Sequence, residues 1–439
     1  MSRQRAFEQG TFTWLVGIED TCVYPADSRA ATLDEHELTQ HTTHWRHDLA
    51  LAASLGATAI RYGVSWPLVN TAPGVYDWSV LDEVIPVMTG EFGLTMVADL
   101  VHYGTPTWLT DSFADADYPE AIAAFAGALA ERYRGSLTHF TPLNEPVTTA
   151  SFCGLRGVWP PALTGWDGWV AVGVPMALGI ARSSAAIRAA NPDAVIVHVE
   201  ASTLVVSDHP DLDEHAGLLR GIGWLPTDLV LGRVGEAHPM HEWLLAHGAS
   251  RADLQWLVSN PTVIDLMGVN YYPDLTPRRL VERDAQVSQV SHDQWSAGFI
   301  TVMSAFAERY GIPMLVTETS IEGDDELRVA WVQAAAAASA ELVELGLDIR
   351  GLTWWPLFDF VDWSWAAGGA NVEEFIVETV TTGGTIEVAA APPLGDPADG
   401  KSAFLRRMGL VRLEERADGS LERVATPAAA AFARMAGTP

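Results

Sequence analysis

Two glutamates close apolar runs that lie far apart in the chain: Glu145 in Leu143-Asn144-Glu145-Pro146 and Glu318 in Thr317-Glu318-Thr319. Paired carboxyls facing a common centre are the apparatus of glycoside hydrolysis. One is held protonated to donate to the leaving oxygen, and the other stays ionised to attack the anomeric carbon. Taken singly, a glutamate at the end of a buried strand reads first as half of an internal ion pair with arginine. The neighbours favour the chemistry. Asn144 adjoins one glutamate, Asn270-Tyr271-Tyr272 ends another apolar run, His102-Tyr103 ends a third, and Trp354-Trp355 a fourth. Sugars offer hydroxyls for hydrogen bonding and C–H faces for aromatic rings, and this set of side chains suits both.

Such residues need a frame that gathers strand ends. Short β-branched runs alternate with longer helical stretches, with strands predicted over 14–19, 57–62, 94–101, 137–143, 194–200, 263–270, 313–318 and 349–355. Helices are predicted between them, at 48–55, 119–133, 169–190, 296–310 and 326–345. Continuous apolar strands such as AVIVHV fit parallel strands buried on both faces. Eight of them with helical crossovers predict an α/β fold, a single (β/α)8 TIM barrel over 1–439 with long loops at its C-terminal face, where reactive groups gather. Two stretches break the alternation. Residues 201–262 are long for a connection and read as holding short helices near 239–247 and 251–258. Residues 366–403 carry a Gly-Gly turn between β-branched runs and then a Pro/Gly-rich segment, a loop insertion expected to wall the active site.

The formal net charge of −30 argues against nucleic acid or an anionic membrane as partner, and against a strongly anionic substrate. No secretory leader is visible at the N-terminus, and no apolar run was expected to reach the ~18 residues of a membrane span. With two cysteines, Cys22 and Cys153, a disulfide framework is excluded and a cytoplasmic location is expected. His41, His44 and His47 invite a metal reading, but without a cysteine or carboxylate ligand they read as a solvated helix end; no metal or cofactor is expected. Glu200, closing the fifth strand, reads as a hydrogen-bonded structural group. Trp159, Trp166, Trp169 and Trp295 are candidates for an aglycone wall.

The motifs resemble glycoside hydrolase family 1, the β-glucosidase-like family of clan A. RYGVSWPLVNTAPGVYDW (61–78) resembles its RFSISWPRI stretch, HYGTPTWL (102–109) its YHWDLP region, and TPLNEP (141–146) its T.NEP motif. MGVNYYPD (267–274) resembles IGINYY, LVTETSIEG (315–323) resembles ITENG, and LTWWPLFDFVDW (352–363) resembles VWSLLDNFEW. The closing GLVRLEE (409–415) also matches, so the series runs in order along nearly the whole chain.

The resemblance implies roles. Glu145 would be the acid/base and Glu318 the nucleophile of a retaining enzyme, whose carboxyls sit ~5–5.5 Å apart. Asn144 and Asn270 would lie in the substrate site, Asn144 bonding the sugar 2-OH. Tyr272 would hold the nucleophile, with Arg61 beneath it as balancing charge. His102 would meet the 3-OH, Trp355 would be a stacking platform, and Asp362 with Trp363 would reach the outer hydroxyls. The sequence departs from the pattern where Glu19 replaces a glutamine and Asp362 a glutamate, and where Tyr103 stands for a tryptophan. Trp363 is followed by Ser364-Trp365-Ala366, without the Ser-Lys-Tyr set that holds a 6-phosphate, which favours a neutral glycoside. The expected activity is exo-acting hydrolysis of a small-molecule β-glycoside, a β-glucoside or a relative. A transglycosidase or natural-product deglycosylase, and a catalytically silent sugar-binding barrel, are the alternatives; a homo-oligomer is left open.

Overall fold

The computed structural model describes residues 6–19, 21–25, 32–283, 286–370, 372, 379–380, 386–387 and 395–437. Eight parallel strands close on themselves in chain order: β1 (Thr13–Ile18), β2 (Ala59–Gly63), β3 (Thr95–Asp99), β4 (His139–Thr141), β5 (Val195–Ala201), β6 (Leu266–Asn270), β7 (Met314–Thr319) and β8 (Ile349–Trp354). Because β1 pairs with both β2 and β8, the barrel leaves no free edge. Every predicted strand falls within three residues of an observed one.

Side chains alternate along a strand, so one set of positions points into the barrel. Its lower interior is filled by Leu15, Ala59, Val97, Val197, Val199 and Leu315, with Phe7 packed against them. Two residues further along the same strands the character changes. Gly17 follows Leu15, with Glu19 just past the strand's end, Arg61 follows Ala59, and Asp99 follows Val97. A polar layer therefore rests on an apolar plug, at the C-terminal end where such barrels place their chemistry.

The crossover helices include α1 (His41–Ser54), α2 (Tyr118–Arg132), α3 (Gly165–Ala190), α4 (Asp213–Val230), α5 (Trp295–Tyr310) and α6 (Asp325–Glu344). Helix α3 corrects one expectation: it is long and apolar enough to cross a membrane. Yet 72% of its most apolar stretch is buried within the fold, where it packs along α2. His41 corrects another. It is not a solvated helix end but a buried residue, with Nδ1 2.9 Å from Asp48 and Nε2 3.0 Å from the Tyr62 hydroxyl. Cys22 and Cys153 are buried and unbridged.

The long connection after β5 holds the two predicted short helices, His241–Ala246 and Arg251–Ser259. It also holds α4 and a strand, Leu204–Ser207, neither of which the sequence pattern announced. That strand pairs with Pro277–Arg283, which pairs in turn with Gln286–Ser291, giving a three-stranded sheet beside the barrel. Half of the 366–403 segment lies outside the described residues; within it Thr379–Val380 pairs with Ile386–Glu387 as an antiparallel ladder. Just outside its ends, Phe360–Val361 pairs with Leu405–Arg406.

Candidate active site

Arg61 on β2 organises the polar layer. Its guanidinium is fully buried and lies 2.8 Å from Glu318 Oε1, 2.7 Å from Glu19 Oε1 and 3.4 Å from Asp99 Oδ2. It also donates to Asn144 Oδ1 at 3.0 Å and to the Thr317 carbonyl at 2.9 Å. Burial alone would weaken its hold on the proton, but the three carboxylates more than reverse that. One cation among three buried carboxylates leaves excess negative charge. Glu19 responds: burial holds its carboxyl well above the usual range, Arg61 opposes this, and the charges of Glu318 and Asp99 reinforce it.

Glu318 is the last residue but one of β7, where the register against β6 shifts so that Asn270 stands opposite it. The Tyr272 hydroxyl donates to Glu318 Oε2 at 2.6 Å, so one carboxylate oxygen faces a phenol and the other a guanidinium.

Glu145 sits differently. The chain leaving β4 is strapped to both neighbours, the Asn144 amide donating to the Val101 carbonyl (2.9 Å) and the Glu145 amide to that of Val199 (3.1 Å). Glu145 then takes a φ of 45° and starts the short helix Pro146–Ala150. A left-handed conformation at a non-glycine residue costs of order 1–3 kcal/mol and persists only where the surroundings fix it. Its carboxylate accepts from the Tyr103 hydroxyl at 2.7 Å and from Asn270 Nδ2 at 2.8 Å, with no cation beside it among the described residues. Burial raises its pKa, the charge of Glu318 raises it further, and the bonds from Tyr103 and Asn270 partly offset both.

His102 Nδ1 lies 2.8 Å from Asp99, leaving Nε2 to accept from Asn144 Nδ2 at 3.3 Å; Asn144 also donates to the Tyr103 hydroxyl at 3.1 Å. Arg61, Asp99, His102, Asn144, Tyr103 and Glu145 thus form one continuous chain of contacts. Glu200 accepts from the Val147 and Ala201 amides at 3.1 and 3.0 Å, fixing the backbone just past Glu145. Trp355 lies against Gly17, where a Cβ would come within 2.5 Å of the indole, and its Nε1–H donates to the Glu19 carbonyl at 2.9 Å.

A cavity of about 270 Å³ opens above this layer, with Tyr103, Glu145, Asn270, Tyr272, Glu318, Trp355 and Trp363 on its walls. Glu19, Arg61, His102, Asn144 and Asp362 are not on those walls. Asp362 has both oxygens engaged, one accepting from the Ser364 amide at 2.8 Å and the other 3.1 Å from Arg406, and Arg406 rather than Asp362 reaches the cavity. Trp363 stands edge-on to Tyr103, Phe152 and Trp159. Among the candidate aglycone tryptophans, Trp166 and Trp169 line the cavity. Trp159 stacks behind Tyr103 at 5.0 Å, and Trp295 packs on Trp331. Sequence reasoning missed Asp99, whose signal was a carboxylate inside an otherwise apolar strand, and the contact of Tyr103 with Glu145.

No family model matches the chain. It is similar to β-glucosidase A of Thermotoga maritima, 21% identical over 74% of this chain and 79% of that protein. It is also similar to β-glucosidase 4 of Oryza sativa subsp. japonica, 23% identical over 74% of this chain and 77% of the relative. In structure it resembles the family 1 β-glucosidase from Thermotoga maritima, with a TM-score of 0.77 at 17% identity over 99% of both chains, which shows a shared fold. In its ordered motifs, its closed barrel and these relatives, the chain is similar to the β-glucosidases of glycoside hydrolase family 1.

Proposed function

We propose that the protein hydrolyses a neutral β-glycoside with retention of anomeric configuration, through a covalent glycosyl-enzyme. The observation that carries this reading is the contrast between two carboxyls on one cavity. Glu318 is held by a guanidinium and a phenol, while Glu145 has no cation beside it among the described residues and a raised pKa. A carboxylate fixed by two donors, facing a buried carboxyl whose pKa is raised, is the arrangement that lets one attack and the other donate a proton. In the first step Glu318 attacks the anomeric carbon as Glu145 gives its proton to the departing oxygen. In the second, Glu145 takes a proton from water, whose oxygen displaces Glu318 from the same carbon. Asn144 and His102, tied to each other and to Arg61 and Asp99, would steady Tyr103 and Glu318 from beneath the cavity, where the glycone would lie. The excess of negative charge in the chain and in this layer speaks for an uncharged sugar.

The test is the configuration of the first product. Proton NMR of early turnover on an aryl β-glucoside should show the β-anomer released before mutarotation; the α-anomer appearing first would refute retention. Glu318→Ala should lower kcat/KM by roughly 10⁴-fold, on the order of 5.5 kcal/mol of transition-state stabilisation. Added azide should partly restore turnover and yield the α-glycosyl azide. Undiminished activity in that variant would remove Glu318 from the mechanism.

A further inference from the structure

Glu200, the last residue but one of β5, is fully buried, and the two displacement steps give it nothing to do. Val197 and Val199 point into the apolar plug of the barrel, so Glu200 lies on the opposite face of the strand, towards the surrounding helices. A carboxyl is seldom fully buried there without a partner, yet no cation faces this one among the described residues. Burial holds it well above the usual range and the charge of Glu145 adds to this, against the bonds from the Val147 and Ala201 amides. Both amides donate to the same oxygen, Oε1, at 3.1 and 3.0 Å, while Oε2 is buried with no hydrogen-bond partner among the described residues. Only the bond from Val147 comes from outside the strand that carries Glu200.

Val147 is the second residue of the short helix Pro146–Ala150 that Glu145 begins. Because Pro146 has no N–H, the Val147 amide is the first donor that this helix presents. Five residues do not hold a helix by themselves, so its place depends on outside ties. The backbone is pinned on both sides of the catalytic position. The Glu145 amide donates to the Val199 carbonyl at 3.1 Å, and two residues on the Val147 amide donates to Glu200. The Thr149 hydroxyl closes the turn by donating to the Glu145 carbonyl at 3.1 Å. Between these ties Glu145 keeps its φ of 45°, which aims its carboxylate at Tyr103 and Asn270. Glu200 is not on the cavity walls, whereas Val147 and Ala201, whose amides it holds, both are.

We infer that Glu200 is a positioning residue for the general acid: its carboxyl oxygen, bonded to the Val147 amide, holds the left-handed turn that points Glu145 at the leaving oxygen. This rests on the proposed role of Glu145 as proton donor. The bond needs an acceptor oxygen and no charge, so glutamine can stand in for glutamate, while leucine, of similar bulk, cannot.

The test compares kcat/KM on two substrates. The leaving group of 2,4-dinitrophenyl β-D-glucoside departs without a proton, and that of phenyl β-D-glucoside needs one. Rates are taken per site titrated with 2,4-dinitrophenyl 2-deoxy-2-fluoro-β-D-glucoside, so that misfolded protein is not counted. Glu200→Leu should lower kcat/KM for the phenyl glucoside by about 10–100-fold and leave the dinitrophenyl glucoside within about threefold. Glu200→Gln should recover most of that loss. Glu200→Met repeats the apolar replacement with a more adaptable side chain, should the leucine variant not fold. Equal losses on the two substrates, no loss on either, or a glutamine variant as poor as the leucine one would overturn the inference. Glu145→Gln tests the reading beneath it and should split the two substrates more steeply still. If Glu145→Gln lowers both alike, the acid assignment falls and the inference with it. If it splits them and Glu200→Leu does not, the inference alone falls.

Discussion

The polar floor under Glu318 hangs on barrel strands, whereas the outer wall of the cavity, beyond Glu145, is built from the segments between them. In the floor, Glu19, Arg61, Asp99, Asn270 and Glu318 come from or directly follow five different strands, and each position is set by the register of its neighbours. In the wall, α4, the turn after the Glu145 helix and the side sheet meet through apolar packing. Moving one floor group leaves a buried charge unpaired. Changing an apolar residue of the wall alters only shape and contact area. The charges have the rigid address, and the wall has the one that tolerates change.

The largest effect should come from the floor. Arg61→Gln leaves three buried carboxylates without their cation and should cost roughly 3–5 kcal/mol of unfolding free energy in urea titration. Adding Glu19→Gln should restore part of that by removing one charge. If the double variant is no more stable than the single, Glu19 does not share the burden of that charge.

A smaller effect separates the two carboxyls. The Tyr103 hydroxyl stabilises ionised Glu145 and so holds its pKa down against burial. A proton donor loses activity as pH rises through its pKa. Tyr103→Phe should therefore move the alkaline limb of kcat/KM to higher pH while the acid limb stays in place. A shift of the acid limb instead would assign the donor role elsewhere.

The smallest concerns the seam between the regions. His198 on β5 lies 2.9 Å from the Thr227 hydroxyl on α4, and burial lowers its pKa to about 4. The unfolded imidazole binds its proton near pH ~6.5 and the folded one only near 4. Stability is then fully present above the unfolded value and is lost as pH falls, by about 1.4 kcal/mol per unit between the two. His198→Gln should flatten the pH dependence of the urea midpoint by that slope; an unchanged slope would place the titration in other groups.

The same contrast explains what the sequence made legible. Parallel strands buried on both faces leave apolar, β-branched runs, and their polar last residues stand out against them, which exposed Glu145, Glu318, Asn270 and Tyr272. Asp99 was harder, because a predicted strand running on to residue 101 hides a carboxylate in its interior. Glu19, which stands where the family pattern has a glutamine, turns its carboxylate back beside Gly17 and Arg61, a choice set by charge balance that no local pattern records. Helix α4 was missed because Gly217, Gly221, Gly223 and Pro226 dilute its helical signal, which tertiary packing overrides. The side sheet joins Leu204–Ser207 to Pro277–Arg283, partners separated by most of an intervening crossover, so neither strand announces the other.

The small ribbon of Phe360–Val361 and Leu405–Arg406 has a consequence for how this protein could diversify. It brings the two ends of the long segment after β8 together at one point on the rim, as a stem does beneath a bouquet. Whatever is grafted between those ends arrives and departs without asking the barrel to move. Loop closure grows only logarithmically with length, each doubling costing about 0.6 kcal/mol. Lineages, or engineers, can therefore exchange that stretch almost freely while Glu145 and Glu318 keep their places.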